Sequence, residues 1–167
     1  MLKFRFIVMV LAIVLITSCA TSGRVTKVTP DAEDISIVNR HNGSVYVRVA
    51  GGKDEFVAPE TVAKALVATI NKTRVFDGAM LSPDGARYEL RVRIADKQHI
   101  GFTGGRHRTE SQWELRDQAG KTLWSADIDE EGTSAALGGI ARVRSAAERS
   151  SKAIIITGVK QLGELDL

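Results

Sequence analysis

Arg87-Tyr88-Glu89-Leu90-Arg91-Val92-Arg93-Ile94 is the stretch on which the fold turns. Apolar side chains stand at every second position, charged ones fill the gaps, and the pattern runs on toward Gln98. A period of two sends alternate side chains to opposite faces of an extended chain, so one face is buried and the other wetted. The reading predicts a strand over Arg87–Gln98 with the even-numbered residues inward.

Downstream, Arg108–Asp117 repeats the pattern with Thr109, Ser111, Trp113 and Leu115 on one face, and Thr122–Glu130 does so with Trp124, Ala126 and Ile128. The Gly-rich run Gly101–Gly105 and the turn Asp117-Gln118-Ala119-Gly120 join the three into an antiparallel meander. Upstream, Ile35 and Ile37, then Val45, Val47 and Val49, flank His41-Asn42-Gly43. Asn-Gly between alternating runs predicts a hairpin. After Pro59, the apolar residues Val62, Ala63, Leu66, Val67 and Ile70 fall on one helical face, which predicts a helix over Pro59–Lys72. A short Arg74-Val75-Phe76 segment stops at Asp77-Gly78, and Ser82-Pro83-Asp84-Gly85 is a turn.

The buried side of such a sheet needs a cover. The first helix supplies part, and the segment Leu137–Leu162 supplies the rest through a broad stripe of Ile140, Val143, Ala147, Ile154, Ile155, Val159 and Leu162. The expected fold is therefore α+β: a two-layer sandwich whose mostly antiparallel sheet, a hairpin plus a three-strand meander, is covered on one face by two helices.

The amino terminus reads differently. Met1-Leu2-Lys3-Phe4-Arg5 carries two positive charges and no acid, and Phe6 to Ile16 is uncharged and apolar. These are the first two regions of a secretory signal, too short for a permanent span, which takes about 20 apolar residues. Ile16-Thr17-Ser18-Cys19 follows, ending in the single cysteine of the chain. This resembles the lipobox of bacterial lipoproteins. The resemblance implies diacylglycerol on the Cys19 thiol, cleavage just before it and acylation of the new terminus; two or three acyl chains anchor firmly where one is marginal. Ala20 stands where inner-membrane lipoproteins often carry Asp, which by the same resemblance favours the outer membrane of a Gram-negative cell with the domain in the periplasm. The expected organisation is a signal over 1–18, a lipidated flexible tether over 19–30 and one domain over 31–167.

Removing 18 residues from 167 leaves 149, enough for one domain with a real core. The formal charge of +3 includes Lys3 and Arg5, so the mature chain carries about +1. A balance that even gives no reason to expect a nucleic-acid partner or a charge-driven membrane association.

The element order, with Tyr88-x-Leu90-x-Val92-x-Ile94, Trp113-x-Leu115-x-Asp117-x-x-Gly120-Lys121-x-x-Trp124 and Arg144-x-Ala146-Ala147-Glu148-Arg149, is similar to that of small envelope lipoproteins. They include the lipopolysaccharide-assembly lipoprotein and auxiliary lipoproteins of lipid transporters. By fold those proteins also look like the amino-terminal domain of the Tol-system periplasmic protein and the curli-secretion lipoprotein. These proteins bind, plug or assemble and do not catalyse, so the resemblance implies an envelope protein or lipid as partner and offers no catalytic residue to carry over.

The residues agree with that absence of chemistry. There is no Gly-x-Ser-x-Gly elbow, no phosphate-binding Gly-Lys loop and no His-Glu-x-x-His. His99 and His107 flank the Gly-rich run, but strand parity turns His99 outward and His107 inward, which argues against a metal pair. Asp127 and Asp129, beside Glu130 and Glu131, share the wet face by parity and lack calcium-loop spacing. Arg142, Arg144 and Arg149 read as the wet side of a helix with Glu148 there to pair. Trp113 and Trp124 are expected in the core. The candidate surface is the hairpin tip Gly101–Arg108, where apolar Phe102 stands with Arg106 and Arg108 in a form suited to anionic lipid or an acidic partner. The expectation is a non-enzymatic, cofactor-free and metal-free binding, assembly or transport-auxiliary module. The alternatives are an enzyme acting on an envelope polymer through Glu110, Asp127, Asp129 and Glu131, and a structural spacer.

Overall fold

The computed structural model describes residues 25–51, 56–100, 105–135 and 138–167, with backbone alone over 96–100. Five strands form one sheet in the order β2-β1-β3-β4-β5: β1 His41–Gly51, β2 Phe76–Met80, β3 Tyr88–Ile100, β4 Gly105–Asp117 and β5 Thr122–Ser134. Helix α1, Pro59–Thr73, and helix α2, Gly139–Leu162, both cover one face, α1 over β1 and β2 and α2 over β4 and β5. The α+β two-layer sandwich is the architecture read from the sequence, and its longest ladders, β3 with β4 and β4 with β5, are antiparallel.

The inward parities hold. Tyr88, Leu90, Val92 and Ile94 of β3 and Thr109, Ser111, Trp113 and Leu115 of β4 are all buried. They meet Leu66 and Ile70 of α1 and Ile154, Ile155, Val159 and Leu162 of α2 in one core. On β5 Ile128 is buried, while Trp124 and Ala126 are partly covered against that core.

The amino-terminal half departs from the expected hairpin. β1 pairs with β2 and β3, parallel to both, and Ile35–Arg40 joins no strand. Asn42-Gly43 is not a turn but lies within β1, where the pairing with β2 shifts register between His41 and Ser44. Gly43 has φ 100° and gives its N–H to Asp77 Oδ2 at 2.5 Å. The left-handed geometry that makes Asn-Gly a hairpin signal serves equally well in a bulge. Arg74-Val75-Phe76 likewise gives way to a strand that begins at Phe76 and runs through Asp77-Gly78 to Met80. β1, α1 and β2 thus form a β-α-β crossover between parallel neighbours.

Residues ahead of β1 are used by the far end of the chain. Asn39 gives its N–H to Gly163 O at 2.7 Å and its amide to Leu165 O at 2.9 Å, and His41 Nε2 meets Leu162 O at 2.8 Å. Carbonyls left free at the end of α2 are satisfied there. Residues before 31 also pack on the domain: Val28 is buried and Val25 lies against the core, so residues 25–30 of the expected tether are part of the fold. Val25 and Val28, three apart on one short helical turn, present a single apolar face.

Helix α2 meets the sheet backbone and the Trp113 ring closely at two glycines. A side chain at Gly132 of β5 would run into the backbone of Ala146 and Ser150, and one at Gly158 would enter the Trp113 ring. Each glycine removes a Cβ where helix and sheet meet, and the gap is filled by the neighbour.

Candidate functional site

Between β4 and α2 the sheet carries a buried polar cluster. His107 is 1% exposed, and its Nδ1 meets Ser150 Oγ at 2.9 Å. Ser150 Oγ also lies 2.8 Å from Thr109 Oγ1 and donates to Ala147 O at 3.1 Å. His107 points inward as its parity predicts, opposite the bare backbone of Gly132. A histidine bonded to a serine has the parts of an activated nucleophile. Ser150 is 0% exposed, however, so the contact is closed to solvent. The cluster is a polar tie that holds α2 to β4. Thr157 Oγ1, donating to Glu130 Oε1 at 2.7 Å, and Arg149, donating to Thr133 O at 2.7 Å, tie the same helix to β5. Glu148 is 8% exposed, so it does not stand on the wet side of α2 as an ion partner for the arginines there. The helix turns more of its circumference to the sheet than a narrow stripe requires.

Chemically richer groups occupy the opposite, uncovered face. At one end Glu89 and Arg91 of β3 lie in register with Arg116 and Glu114 of β4, so that the charges alternate in both directions. Arg91 bonds Glu89 at 2.8 Å, Arg116 bonds Glu114 at 2.9 Å, and Thr122 adds a 2.6 Å bond to Glu114. The hydrogen bonds from Arg116 and then Thr122 hold the Glu114 carboxyl below the usual carboxylate range. The hydrogen bond to Glu89 raises the Arg91 guanidinium further. At the other end Arg108 binds Asp129 through both carboxylate oxygens, its Nε lying 2.7 and 2.9 Å from them, and reaches Glu110 at 3.7 Å. Arg106 approaches Glu131 at 3.7 Å.

Between these ends lies a shallow hollow of about 530 Å³, lined by Arg48, Arg93, Gln112 and Asp127 together with Val92, Trp113 and Ala126, with Arg91, Glu114 and Arg116 at one end.

Of the residues singled out from the sequence, Cys19 and Phe102 lie outside the described residues. Arg106 and Arg108 belong to β4, which begins at Gly105, so they stand on the ladder and not at a free tip. Both are engaged with carboxylates of β4 and β5. Among the described residues no group of three or more His, Cys, Asp or Glu is placed to hold a metal ion. No described helix is long and apolar enough to cross a membrane. What sequence reasoning passed over is the arginine group Arg48, Arg91, Arg93 and Arg116. Three of its members were visible as the charged half of a strand alternation, but Arg48 joins them through the parallel pairing of β1 with β3.

No protein-family model matches the chain, and no curated protein does. Solved structures share its fold. A protein of the DUF330 family from Xanthomonas campestris aligns with a TM-score of 0.60 at 10% identity, over 78% of this chain and 92% of that one. PelC from Paraburkholderia phytofirmans, crystallised as a dodecamer, aligns at 0.57 and 17% identity, over 76% and 91%. A protein from Caulobacter crescentus described as a lipoprotein aligns at 0.50 and 13% identity, over 71% and 88%. At such identities the likeness is one of fold.

Proposed function

We propose that this chain is an envelope lipoprotein, held to the outer membrane of a Gram-negative cell by lipid on Cys19, with a periplasmic domain that works by binding. The observation that carries the reading is the conjunction of a lipobox-like Ile16-Thr17-Ser18-Cys19 with a fold shared by a protein described as a lipoprotein. Neither alone is as specific. A short apolar leader is common among exported proteins of many kinds, and a fold hosts many functions.

The non-catalytic part rests on how the polar groups are used. Glu89, Glu114, Asp129 and Glu131 are each committed to an arginine, and the one Ser–His contact described above is sealed under α2. An acid catalyst needs a carboxyl whose environment favours the protonated form, and at Glu114 the Arg116 hydrogen bond does the reverse. Assembly or transport assistance, with an envelope protein or lipid as the partner, is the class of task left for such a domain.

The anchor is tested by expressing the full chain and its Cys19→Ser variant in a Gram-negative host fed radiolabelled palmitate. The parent chain is expected to carry label and sediment with outer membranes through a carbonate wash. The variant is expected to be unlabelled and soluble in the periplasm. A variant that stays with the membrane, or a parent chain without label, overturns the reading.

A further inference from the structure

Four arginines of the open sheet face come together around the hollow: Arg48 from β1, Arg91 and Arg93 from β3, and Arg116 from β4. Two of them are matched by carboxylates on their own strands, Arg91 by Glu89 and Arg116 by Glu114. Among the described residues Arg48 and Arg93 make no ion pair and no side-chain hydrogen bond. The parallel register sets Arg48 directly beside Arg91 and puts Arg93 one pleat further on, a diagonal separation of about 8 Å between Arg48 and Arg93 backbones. Like charges directly opposite each other on a sheet are destabilising. Among the described residues the Nε groups of Arg91 and Arg116 are buried and meet no acceptor. An anion seated at this end of the hollow offsets the crowding of Arg48 on Arg91 and supplies the partner that Arg48 and Arg93 lack among the described residues.

We propose that the β1–β3 side of this hollow binds the phosphate group of a small phosphate monoester between Arg48 and Arg93. The charge selects the ligand. Two unpaired guanidinium groups are neutralised by one phosphate monoester, which carries about −1.5 to −2 at neutral pH, and only half neutralised by a single carboxylate. The guanidinium fork also matches phosphate oxygens two at a time. Asp127, in register with Gln112 on the far rim, repels an anion placed over β4 and β5 and so confines it to the β1–β3 side. The hollow, at about 530 Å³, has the volume of a small-molecule site. This site does not depend on the Cys19 anchor.

The test uses the full lipidated chain in nonionic detergent, titrated calorimetrically at low salt with inorganic phosphate and with glycerol 3-phosphate. Saturable binding of one equivalent that weakens as sodium chloride is added is expected. Arg48→Gln and Arg93→Gln should each lower the affinity at least tenfold, and Arg108→Gln, at the other end of the face, should leave it within twofold. Arg48→Lys keeps the charge without the fork and should fall between. Because Arg48 and Arg93 have no partner to lose among the described residues, neither glutamine variant should lower the melting temperature of the ligand-free protein. A measurement that needs no variant is the ¹⁵N spectrum of the parent chain with phosphate, whose shifts should centre on residues 48, 91 and 93. No saturable binding, affinities unmoved in both glutamine variants, or shifts centred elsewhere would overturn the proposal. So would binding confined to vesicles of phosphatidylcholine with phosphatidylglycerol, which would replace the small ligand by a membrane surface.

Discussion

Strand β4 shows two different molecules to its two sides. Under α2 it presents His107, Thr109, Ser111, Trp113 and Leu115, all buried; toward solvent the same strand presents Arg106, Arg108, Glu110, Gln112, Glu114 and Arg116. On the covered side the buried polar side-chain atoms among the described residues are bonded, as Trp113 Nε1 is to Ser111 Oγ at 2.9 Å. Unpaired polar groups in a core cost far more than paired ones return, so that face is set by packing and hydrogen-bond satisfaction together. On the open side most charged groups reach water, and the ion pairs there contribute little to stability. The open face is therefore free to be spent on recognition, and the covered face is not.

That contrast breaks first at Trp113. Its ring fills the space left by Gly158 and is 1% exposed, so Trp113→Ala leaves a cavity against a helix that cannot sink further. A loss of about 3–5 kcal/mol is expected from urea unfolding. A loss under about 1 kcal/mol would mean that α2 is not held by that contact. A smaller effect is expected from Ser150→Ala, which removes the hydroxyl that His107 and Thr109 share but leaves their own 3.3 Å approach. The expected cost is about 1–2 kcal/mol by the same titration, with amide exchange in α2 accelerated more than in β3. A neutral result would show that the polar tie does not couple helix to sheet.

The two faces were also unequally legible in the sequence. Alternation in Tyr88–Ile94 and Thr109–Leu115 gave both inward parities, including that of His107, because a period of two is a local property of the chain. The helix boundaries came close for the same reason: Pro59 marks the start of α1, and an apolar stripe marks α2. Which strand lies beside which is not local. The expected pairing of the Ile35–Ile37 run with β1 failed because Asn42-Gly43 makes a bulge as readily as a turn. Ile35 is nevertheless buried, though it joins no strand. Losing that pairing also lost the site. With β1 taken as half of a hairpin, nothing brings Arg48 beside Arg91. Phe102, Arg106 and Arg108 drew notice because charge and an aromatic residue adjoin in sequence; Arg48 and Arg93 adjoin only in space.

The smallest effect expected, and the sharpest test of how the open face is wired, concerns Glu114. Its carboxyl is the acceptor for Arg116 and Thr122 and sits across the ladder from Arg91, and its pKa is depressed chiefly by the Arg116 hydrogen bond. A carboxyl whose folded pKa lies below its unfolded value binds fewer protons folded than unfolded between those two values. Stability then rises with pH across that window. Its contribution is complete above the ordinary glutamate value of about 4.3 and is lost as pH falls through the lower, folded value. A carbon-detected NMR titration of the Glu114 carboxyl should therefore place its midpoint below that of a free glutamate. Arg116→Gln should move it upward and Arg108→Gln should not, since Arg108 serves the Asp129 end of the face. If both substitutions moved it equally, the open face would be a single diffuse field of charge. If Arg116 alone moves it, the two ends are separate local pairings, and the unmatched Arg48 and Arg93 between them stand out as the part of the face that stability does not explain.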